Sequence, residues 1–407
     1  MVLLEWHRGV MTESDILIIG GGIAGTSAAL YLAQNGRKVT LLERGDIASE
    51  ASGLNAGGLG GIGWGNAPDL SSYLTMGSLE LFKDLQIGLG YDIEFRQCGG
   101  LQAIQTQAQY EFGGEKVLRL RSSGYDLELL SPREAQSIEP EASPDVLGFI
   151  HFPGRGQADP VKTTRAFATA AQNDGARVLT DHPVTKLKPL GDGSWSVETP
   201  IEEFRAGALV LAAGAWCGPL GDMLGLNIPI EPVRGQMWAT VVLPPRLHHV
   251  ISSMESESSW ASGVGEGPDV PPELTHKDGS RITRHLYGRQ TKTGEIVFGG
   301  DRELIGFDLG VNAEGIEINK DHVAEILPLV ADSPIARTWS GIMPFSLDGQ
   351  PLIGKIPHHQ NLFIVGGLAS SGFGRGPMAA KLLAEYIRTG HRPQVLAEAD
   401  PARCVSW

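Results

Sequence analysis

The first long apolar stretch of the chain predicts a strand, a helix and a second strand in close succession. Ile16 to Ile19 forms a short apolar run after Asp15, which is typical of a buried strand. Residues 26–35 carry helix formers with an apolar face, and residues 38–42 form the second apolar run. This order of elements predicts a Rossmann-like α/β unit.

A glycine-rich turn joins the first strand to the helix. The segment Gly20–Gly25 fits the pattern G-x-G-x-x-G, and Glu43 closes the second strand about 20 residues later. Gly20 permits the tight turn, Gly22 lets a pyrophosphate approach the backbone, and Gly25 lets the helix lie close to the strand. A carboxylate at Glu43 accepts ribose hydroxyl protons and favours a ribose without a 2′-phosphate. Together these features predict dinucleotide binding, with the phosphates at the positive end of the helix.

Apolar periodicity along the rest of the chain predicts further elements. Asp159-Pro160 combines an N-cap residue with proline at the first helical position, which predicts a helix to about residue 173. Other helices are predicted at residues 71–85, 111–121 and 377–388. Strands are predicted as a pair within 95–105, singly at 177–179, 184–187, 195–199 and 208–213, in a β-rich region from 232 to 243, as a hairpin within 285–298, and at 361–365.

Nucleotide-type segments lie at both ends and in the middle of the chain, so we expect a discontinuous dinucleotide-binding domain. Its predicted parts are residues 14–65, 156–229 and 341–392. Residues 66–155 and 230–340 are predicted to form an inserted α+β substrate-binding (cap) domain with a mixed or antiparallel sheet. Residues 1–13 are expected to be an N-terminal extension and residues 393–407 a C-terminal tail. A cap of this kind closes a small pocket over a cofactor and excludes water.

Composition narrows the partners of the chain. The formal charge of −14 and the pI near 5.3 argue against binding to nucleic acid or to an anionic membrane surface. Cys98, Cys217 and Cys404 are widely spaced, which favours reduced thiols in a cytoplasmic protein. The sequence contains no run of eighteen or more uncharged apolar residues, so no membrane span is predicted. The pairs His248-His249 and His358-His359 show no third ligand, so no metal site is predicted.

Seven motifs in a fixed order resemble the D-amino-acid oxidase (DAO) superfamily of FAD-dependent oxidoreductases, similar to glycine oxidase, sarcosine oxidase and the flavin subunit of hydrogen cyanide synthase. The resemblance covers nearly the whole chain from Ser14 to Gly390. The motifs are Gly20–Gly25 with Glu43-Arg44, then Ser49–Gly58, Gln157–Pro160, Leu211–Trp216, Pro232–Gln236, Asp348–Gly354 and Gly367–Phe373.

The resemblance implies an FAD cofactor and the residues that hold it. In this family the Gly57-Gly58 region lies against the flavin, a main-chain contact at the Val184 position holds adenine, and the last glycine loop with its helix meets the flavin O2 side. No histidine lies in Ser49–Gly58 and Cys217 is not at a linking position, so the FAD is predicted to be non-covalent. The predicted cofactor-binding residues are Gly20, Gly22, Ile23, Ala24, Gly25, Glu43, Arg44, Ser52, Asn55, Ala56, Gly57, Gly58, Val184, Gly214, Trp216, Gly367, Leu368, Ala369, Ser370, Gly372 and Phe373.

The family reaction removes hydride from a carbon bearing an amine, passes it to flavin N5, and gives an imine that hydrolyses. The resemblance therefore implies a small amine or amino-acid substrate and, as acceptor, dioxygen or another oxidant, in a chain that can form a homo- or hetero-oligomer. Two departures affect the substrate: Met343 replaces an arginine that grips the carboxylate in many relatives, and Leu368 replaces a frequent histidine. Both make the pocket less polar and favour a secondary amine or modified amino acid.

Another cation is then needed if a carboxylate is bound. Arg289, next to Gln290 on a predicted cap strand, is one candidate, and its other interpretation is a solvent-facing strand arginine. Arg375 after the last glycine loop is the second candidate, and Tyr287 is a possible pocket residue.

Two other functions stay open at this stage. One is a flavin-bearing subunit or assembly factor without free amino-acid oxidase activity. The other is an NAD(P)H-driven hydroxylase, which the absence of a second G-x-G-x-x-G after a strand disfavours.

Overall fold

The computed structural model describes residues 12–62, 69–255 and 285–406. Residues 1–11, 63–68, 256–284 and 407 lie outside the described part, including most of the predicted N-terminal extension. Within the described ranges, the α-helices are α1 Ile23–Gln34, α2 Leu70–Lys83, α3 Gln107–Ser122, α4 Pro132–Ile138, α5 Pro160–Asn173, α6 Cys217–Asp222, α7 Ala313–Ile326 and α8 Gly372–Thr389.

The strands of the same ranges are numbered in chain order. They are β1 Thr12–Ile19, β2 Val39–Leu42, β3 Gly58–Leu59, β4 Gly100–Ile104, β5 Glu128–Leu130, β6 Gly148–Phe152, β7 Gly156–Gln157, β8 Arg177–Leu179, β9 Lys186–Pro189, β10 Trp195–Glu198, β11 Glu203–Leu211, β12 Ile230–Thr240, β13 Val250–Ser253, β14 Tyr287–Gln290, β15 Ile296–Glu303, β16 Ile335–Ser346, β17 Leu352–Lys355 and β18 Leu362–Gly366.

The first sheet has the order β17-β18-β11-β1-β2-β8, with β10 paired to β11 and β9 to β10. Its central pairs are parallel, so Ile18 of β1 lies between Leu41 of β2 and Val210 of β11. All three side chains are buried, which explains the continuous apolar runs in the sequence. Because parallel strands end at one edge, the turns after β1, β2, β11 and β18 meet there.

The second sheet has the order β16-β12-β15-β14-β13-β4-β6-β5. Its pairs are antiparallel except β13 with β4, so the expectation of a mixed or antiparallel sheet is confirmed. The register of β12 with β16 pairs Val233 with Met343. The far side of this sheet has a core of its own, which includes Trp238, Phe298 and Val323 of α7.

Close helix packing in the first domain depends on glycine. A Cβ at Gly25 of α1 would lie 1.9 Å from the Gly20 carbonyl oxygen, and a Cβ at Gly376 of α8 would lie 2.9 Å from Ile23 Cγ2. No side chain fits at Gly25, and a Cβ at Gly376 would require the Ile23 side chain to shift. These glycines therefore set the distance of α1 from β1 and of α8 from α1.

Several boundaries differ from the sequence-based prediction. β1 begins at Thr12, so Thr12 and Glu13 belong to the sheet rather than to an extension. Only one strand, β4, forms in the predicted strand pair at residues 95–105. α8 begins at Gly372 instead of Pro377, because packing of Gly376 on α1 outweighs the low helix propensity of glycine and proline.

Two predicted domain limits also shift on packing grounds. α2, predicted in the cap, packs through Leu74 and Phe82 into the same core as α1 and α8. The predicted tail is joined to the first sheet, because the Ile353 N–H donates to Ala399 O at 2.9 Å and Leu396 is buried in that core.

We expect Gly25→Ala to destabilise the protein by about 1–3 kcal/mol, because the added methyl group must push α1 away from β1. Gly114→Ala on the surface of α3 is the matched control. Its Cβ meets no atom within 4 Å, so helix propensity alone should stabilise the protein by about 0.5–1 kcal/mol. Thermal unfolding and flavin content measured on both variants test this. Equal stability of Gly25→Ala and the unmodified protein would contradict the role given to this contact.

Candidate functional site

A cavity of about 290 Å³ lies at the edge where the parallel strands end. Its lining includes the last residues of three strands, Ile19 of β1, Leu42 of β2 and Gly366 of β18, and also Ala212 directly after β11. Ligands of open α/β sheets bind at this edge.

The start of α1 faces this cavity without a side-chain cap. Gly22 is its N-cap and supplies no side chain, while the Ile23 N–H donates to Ser52 Oγ at 2.9 Å. Gly22 and Ile23 both line the cavity. A helix start of this kind has N–H groups and a positive dipole end available for an anion such as a pyrophosphate.

Glu43 is held in position by the backbone. Its Oε2 accepts a hydrogen bond from Gly21 N at 2.6 Å, and its Oε1 accepts one from Gly45 N at 2.9 Å. The carboxylate lines the cavity and is 9% exposed. Each carboxylate oxygen keeps a further lone pair, so the side chain can still accept ribose hydroxyl protons.

One end of the cavity is lined by Arg44, Val184 and Trp216. The Arg44 guanidinium lies 3.7 Å from the centre of the Trp216 ring and pairs with Glu50. Phe307 stacks on the same tryptophan, with ring centroids 5.1 Å apart. These flat groups can lie against a purine ring.

The opposite end of the cavity has apolar walls. Met343 on β16, Leu368 and Phe373 line it, together with the Tyr287 ring from β14. Burial raises the pKa of the Tyr287 phenol, which therefore stays neutral. α8 also begins here, and its N-cap Ser371 makes no side-chain cap hydrogen bond. Two helix starts whose N-cap residues supply no side-chain cap thus face one cavity.

Arg289 does not reach this cavity. It is 3% exposed, its Nε donates to Ala56 O, and its Nη2 donates to Ala158 O at 3.2 Å. The Ala158 N–H in turn donates to Gly57 O at 3.0 Å. The guanidinium therefore clamps the 56–58 loop to the segment before α5. This geometry disfavours its predicted role as a carboxylate ligand and also the solvent-facing alternative.

Gln290 also has a structural environment. Its Oε1 accepts from Arg246 N and Leu247 N at 2.7 and 3.0 Å. Its Nε2 donates to three backbone carbonyls, those of Leu243, Pro244 and Gly294. The side chain thus ties the turn at 243–247 to the β14–β15 hairpin and lines neither cavity of the described residues.

A second, smaller cavity of about 130 Å³ adjoins the first. Asn55, Tyr287, Ser370 and Phe373 line both cavities. The remaining lining of the second cavity includes the predicted residue Arg375 and four polar residues that the sequence analysis missed, which are Gln102, Arg155, His285 and Arg302.

The missed residues carried only weak signals in the sequence. Arg155 stands between two glycines in the sequence, a pattern that is typical of an ordinary turn. Arg302 stands between Asp301 and Glu303 at the end of β15, where every side chain is buried. Three adjacent charged residues in a fully buried strand are unusual, and this signal could have drawn attention to Arg302.

The structure brings most of the predicted cofactor residues together. Gly25, Ala56, Gly57, Gly58 and Gly367 are absent from the lining of the larger cavity in the described part of the chain, although Gly58 lines the smaller one. The predicted residues on the larger cavity are Gly20, Gly22, Ile23, Ala24, Glu43, Arg44, Ser52, Asn55, Val184, Gly214, Trp216, Leu368, Ala369, Ser370, Gly372 and Phe373, with Tyr287 and Met343 from the substrate set.

Comparison of the sequence with models of known protein families identifies the family of this chain. Residues 15–386 match the family model of the DAO family, described as FAD dependent oxidoreductase, and the chain belongs to this family. The uncapped start of α1, the position of Glu43 and the flat groups at Trp216 fit an FAD that spans the larger cavity.

Individual relatives are similar over the whole chain. Dimethylglycine dehydrogenase of Mus musculus is 27% identical over 99% of this chain and 45% of its own length. The chain thus spans about half of that relative. Glycine oxidase of Geobacillus kaustophilus is 26% identical over 92% of both chains. Among solved structures, L-proline dehydrogenase from P. horikoshii has a TM-score of 0.82 at 26% identity, covering 97% of this chain and 98% of its own.

None of the helices in the described ranges is long and apolar enough to cross a membrane. Within the same ranges, no three His, Cys, Asp or Glu side chains are grouped to hold a metal ion.

Arg289→Met and Arg289→Lys should lower flavin occupancy and destabilise the protein by about 1–3 kcal/mol, because both leave the Ala56 and Ala158 carbonyls without a fitted donor. Flavin absorbance after dialysis and thermal unfolding are the measurements. Arg119→Met, on the exposed face of α3, is the control and should change neither. Normal flavin content and stability, with a raised KM only for carboxylate substrates, would restore Arg289 as a carboxylate ligand.

Proposed function

We propose that this protein oxidises the CH–NH bond of an amine or amino acid, with FAD in the larger cavity and the substrate in the smaller one. The main observation in support of this proposal is that four residues line both cavities, namely Tyr287, Asn55, Ser370 and Phe373. A ligand in the smaller cavity therefore contacts the apolar end of the larger cavity, which is where the flavin ring would lie.

The flavin supplies the hydride acceptor when it is bound, and the protein supplies position and electrostatics. Met343, Leu368 and Phe373 would exclude water from the reacting end. The backbone at the start of α8 would direct its positive dipole end at the pyrimidine side of the ring and favour negative charge there. The clamp of Arg289 on the 56–58 loop would fix the backbone that lies against the flavin.

The chemistry of the relatives supports this substrate class. Glycine oxidase, dimethylglycine dehydrogenase and L-proline dehydrogenase are all named for amino acids or N-substituted amino acids. Iminodiacetate oxidase from Chelativorans sp. BNC1 is also similar in structure, with a TM-score of 0.78 at 25% identity over 95% of this chain and 98% of its own. The electron acceptor, the oligomeric state, the cytoplasmic location and non-covalent attachment of FAD stay predictions.

The decisive test is anaerobic reduction of the bound flavin. Purified holoprotein is mixed under nitrogen with a panel of glycine, N-methylglycine, N,N-dimethylglycine, L- and D-proline and iminodiacetate, and flavin absorbance is followed. At least one amine should bleach the flavin without NAD(P)H, because hydride transfer needs no second nucleotide. Reduction by NADPH alone would support the hydroxylase alternative instead. If no amine reduces the flavin, the result would contradict the proposed oxidation and favour the role of a flavin-bearing subunit.

Glu43→Ala should weaken FAD retention by roughly tenfold or more, because hydrogen bonds to a charged group contribute about 1.5–3 kcal/mol each. Turnover per bound flavin should change little, since Glu43 lies beside Leu42 at the end of β2, on the nucleotide side of the cavity. Flavin content after dialysis and rate per flavin are measured. Glu198→Ala, which removes a surface ion pair with Lys186, is the matched control. Full occupancy of the Glu43 variant would contradict its assignment to the cofactor.

A further inference from the structure

Arg375 lies in the first turn of α8 and reaches the smaller cavity. α8 begins at Gly372, and Arg375 lines this cavity together with Ser371 and Phe373. The Phe373 ring also lines the larger cavity. A small ligand that binds the Arg375 guanidinium can therefore lie beside the wall that the two cavities share.

The guanidinium of Arg375 is held in place by α2. Its Nε donates to Thr75 Oγ1 at 3.3 Å, and Thr75 is 3% exposed. A second bond joins the same two helices, because the Met378 N–H donates to Ser78 Oγ at 3.1 Å. The packing of α2 on α8 thus fixes the position of the guanidinium before a ligand arrives, which reduces the conformational entropy lost on binding.

The two Nη groups of Arg375 face no acceptor in the described ranges, where Thr75 is the hydrogen-bond partner of this side chain. The charge of Asp69 acts on the guanidinium, but Asp69 caps α2 instead and accepts a hydrogen bond from Ser72 N at 2.8 Å. Burial lowers the pKa of the Arg375 guanidinium to about 10, so it stays charged at neutral pH. Two Nη groups of one guanidinium can bind both oxygens of a single carboxylate.

Other arginines around the two cavities already use an Nη group for a contact within the protein. The partners are Glu50 for Arg44, Ser252 for Arg155 and His285 for Arg302. Arg289 lines neither cavity of the described part of the chain. Arg375 is therefore the arginine best placed to receive a carboxylate.

The residue before α8 adds a second donor at the same place. Ser371 is the N-cap of α8, lines the smaller cavity and makes no side-chain cap hydrogen bond. Its hydroxyl can donate to a carboxylate oxygen. The positive dipole end of α8 favours negative charge at the same end of the helix.

We propose that Arg375, assisted by Ser371, binds the carboxylate of the substrate, so that the protein selects an amino acid or N-substituted amino acid over the amine that lacks this carboxylate. This inference rests on the proposed amine oxidation. The carbon that bears the nitrogen is bonded directly to the carboxylate of an α-amino acid, so it stays close to the wall formed by Phe373. The cavity volume of about 130 Å³ limits such a substrate to a small molecule.

Ligand binding tests the carboxylate site without any turnover. Oxidised holoprotein is titrated by calorimetry with butyrate and with butyramide, a neutral ligand of the same shape. We expect a dissociation constant at least roughly tenfold lower for butyrate, and we expect Arg375→Met to abolish this preference. Arg388→Met, which alters an exposed arginine in the last turn of the same helix, is the control and should keep it. Equal affinity of the unmodified protein for both ligands would overturn the proposal, and so would a preference that persists in flavin-loaded Arg375→Met.

Turnover then separates this site from the proposed oxidation. The substrates are L-proline and N-methylglycine, each compared with the amine that lacks its carboxylate, pyrrolidine and dimethylamine. Arg375→Met should raise KM at least roughly tenfold for the two acids and change it little for the two amines. Equal changes for acids and amines would overturn the assignment. If butyrate binds through Arg375 but no amine reduces the flavin, the carboxylate site stands and the proposed oxidation fails.

A second variant covers the case in which Arg375→Met does not fold. Arg375→Lys keeps the charge without the planar fork, so it should retain only part of the preference for butyrate. A preference equal to that of the unmodified protein in Arg375→Lys would then overturn the paired binding of the carboxylate by Arg375.

Discussion

The close approach of α1 to the parallel sheet is the constraint on which the site depends. Gly25 faces the Gly20 carbonyl at a distance that no Cβ can share, and Gly376 lets α8 approach Ile23 closely, although less tightly. Both helices consequently begin at the same edge of the sheet, and both begin without a side-chain cap. Their backbone N–H groups and dipole ends therefore act on one cavity, which is the electrostatic requirement of a cofactor with anionic phosphates and a flavin that becomes anionic on reduction.

A second constraint joins the cap sheet to the cofactor domain. Tyr287 and Arg289 are two residues apart on β14, so both side chains point from the same face of the strand towards the 55–58 loop. Tyr287 forms part of the wall of both cavities, and Arg289 donates to the backbone carbonyls of Ala56 and Ala158. A movement of β14 would therefore shift the wall shared by the two cavities and the 55–58 loop together. The second sheet thus helps to position the loop of the first domain as well as forming part of both cavities.

The sequence predicted many of the residues that line the larger cavity, but it missed most of the charged and polar residues of the smaller cavity. The unit from Gly20 to Glu43 could be interpreted from sequence because each residue has a role set by its neighbours in the chain. Arg289 could not, because β14 and β15 are buried on both faces and alternation then does not show which side chains reach a cavity. Arg155 and Arg375 are 220 residues apart and meet only through the tertiary fold. The start of α8 was placed too late because helix propensity was followed where packing decides.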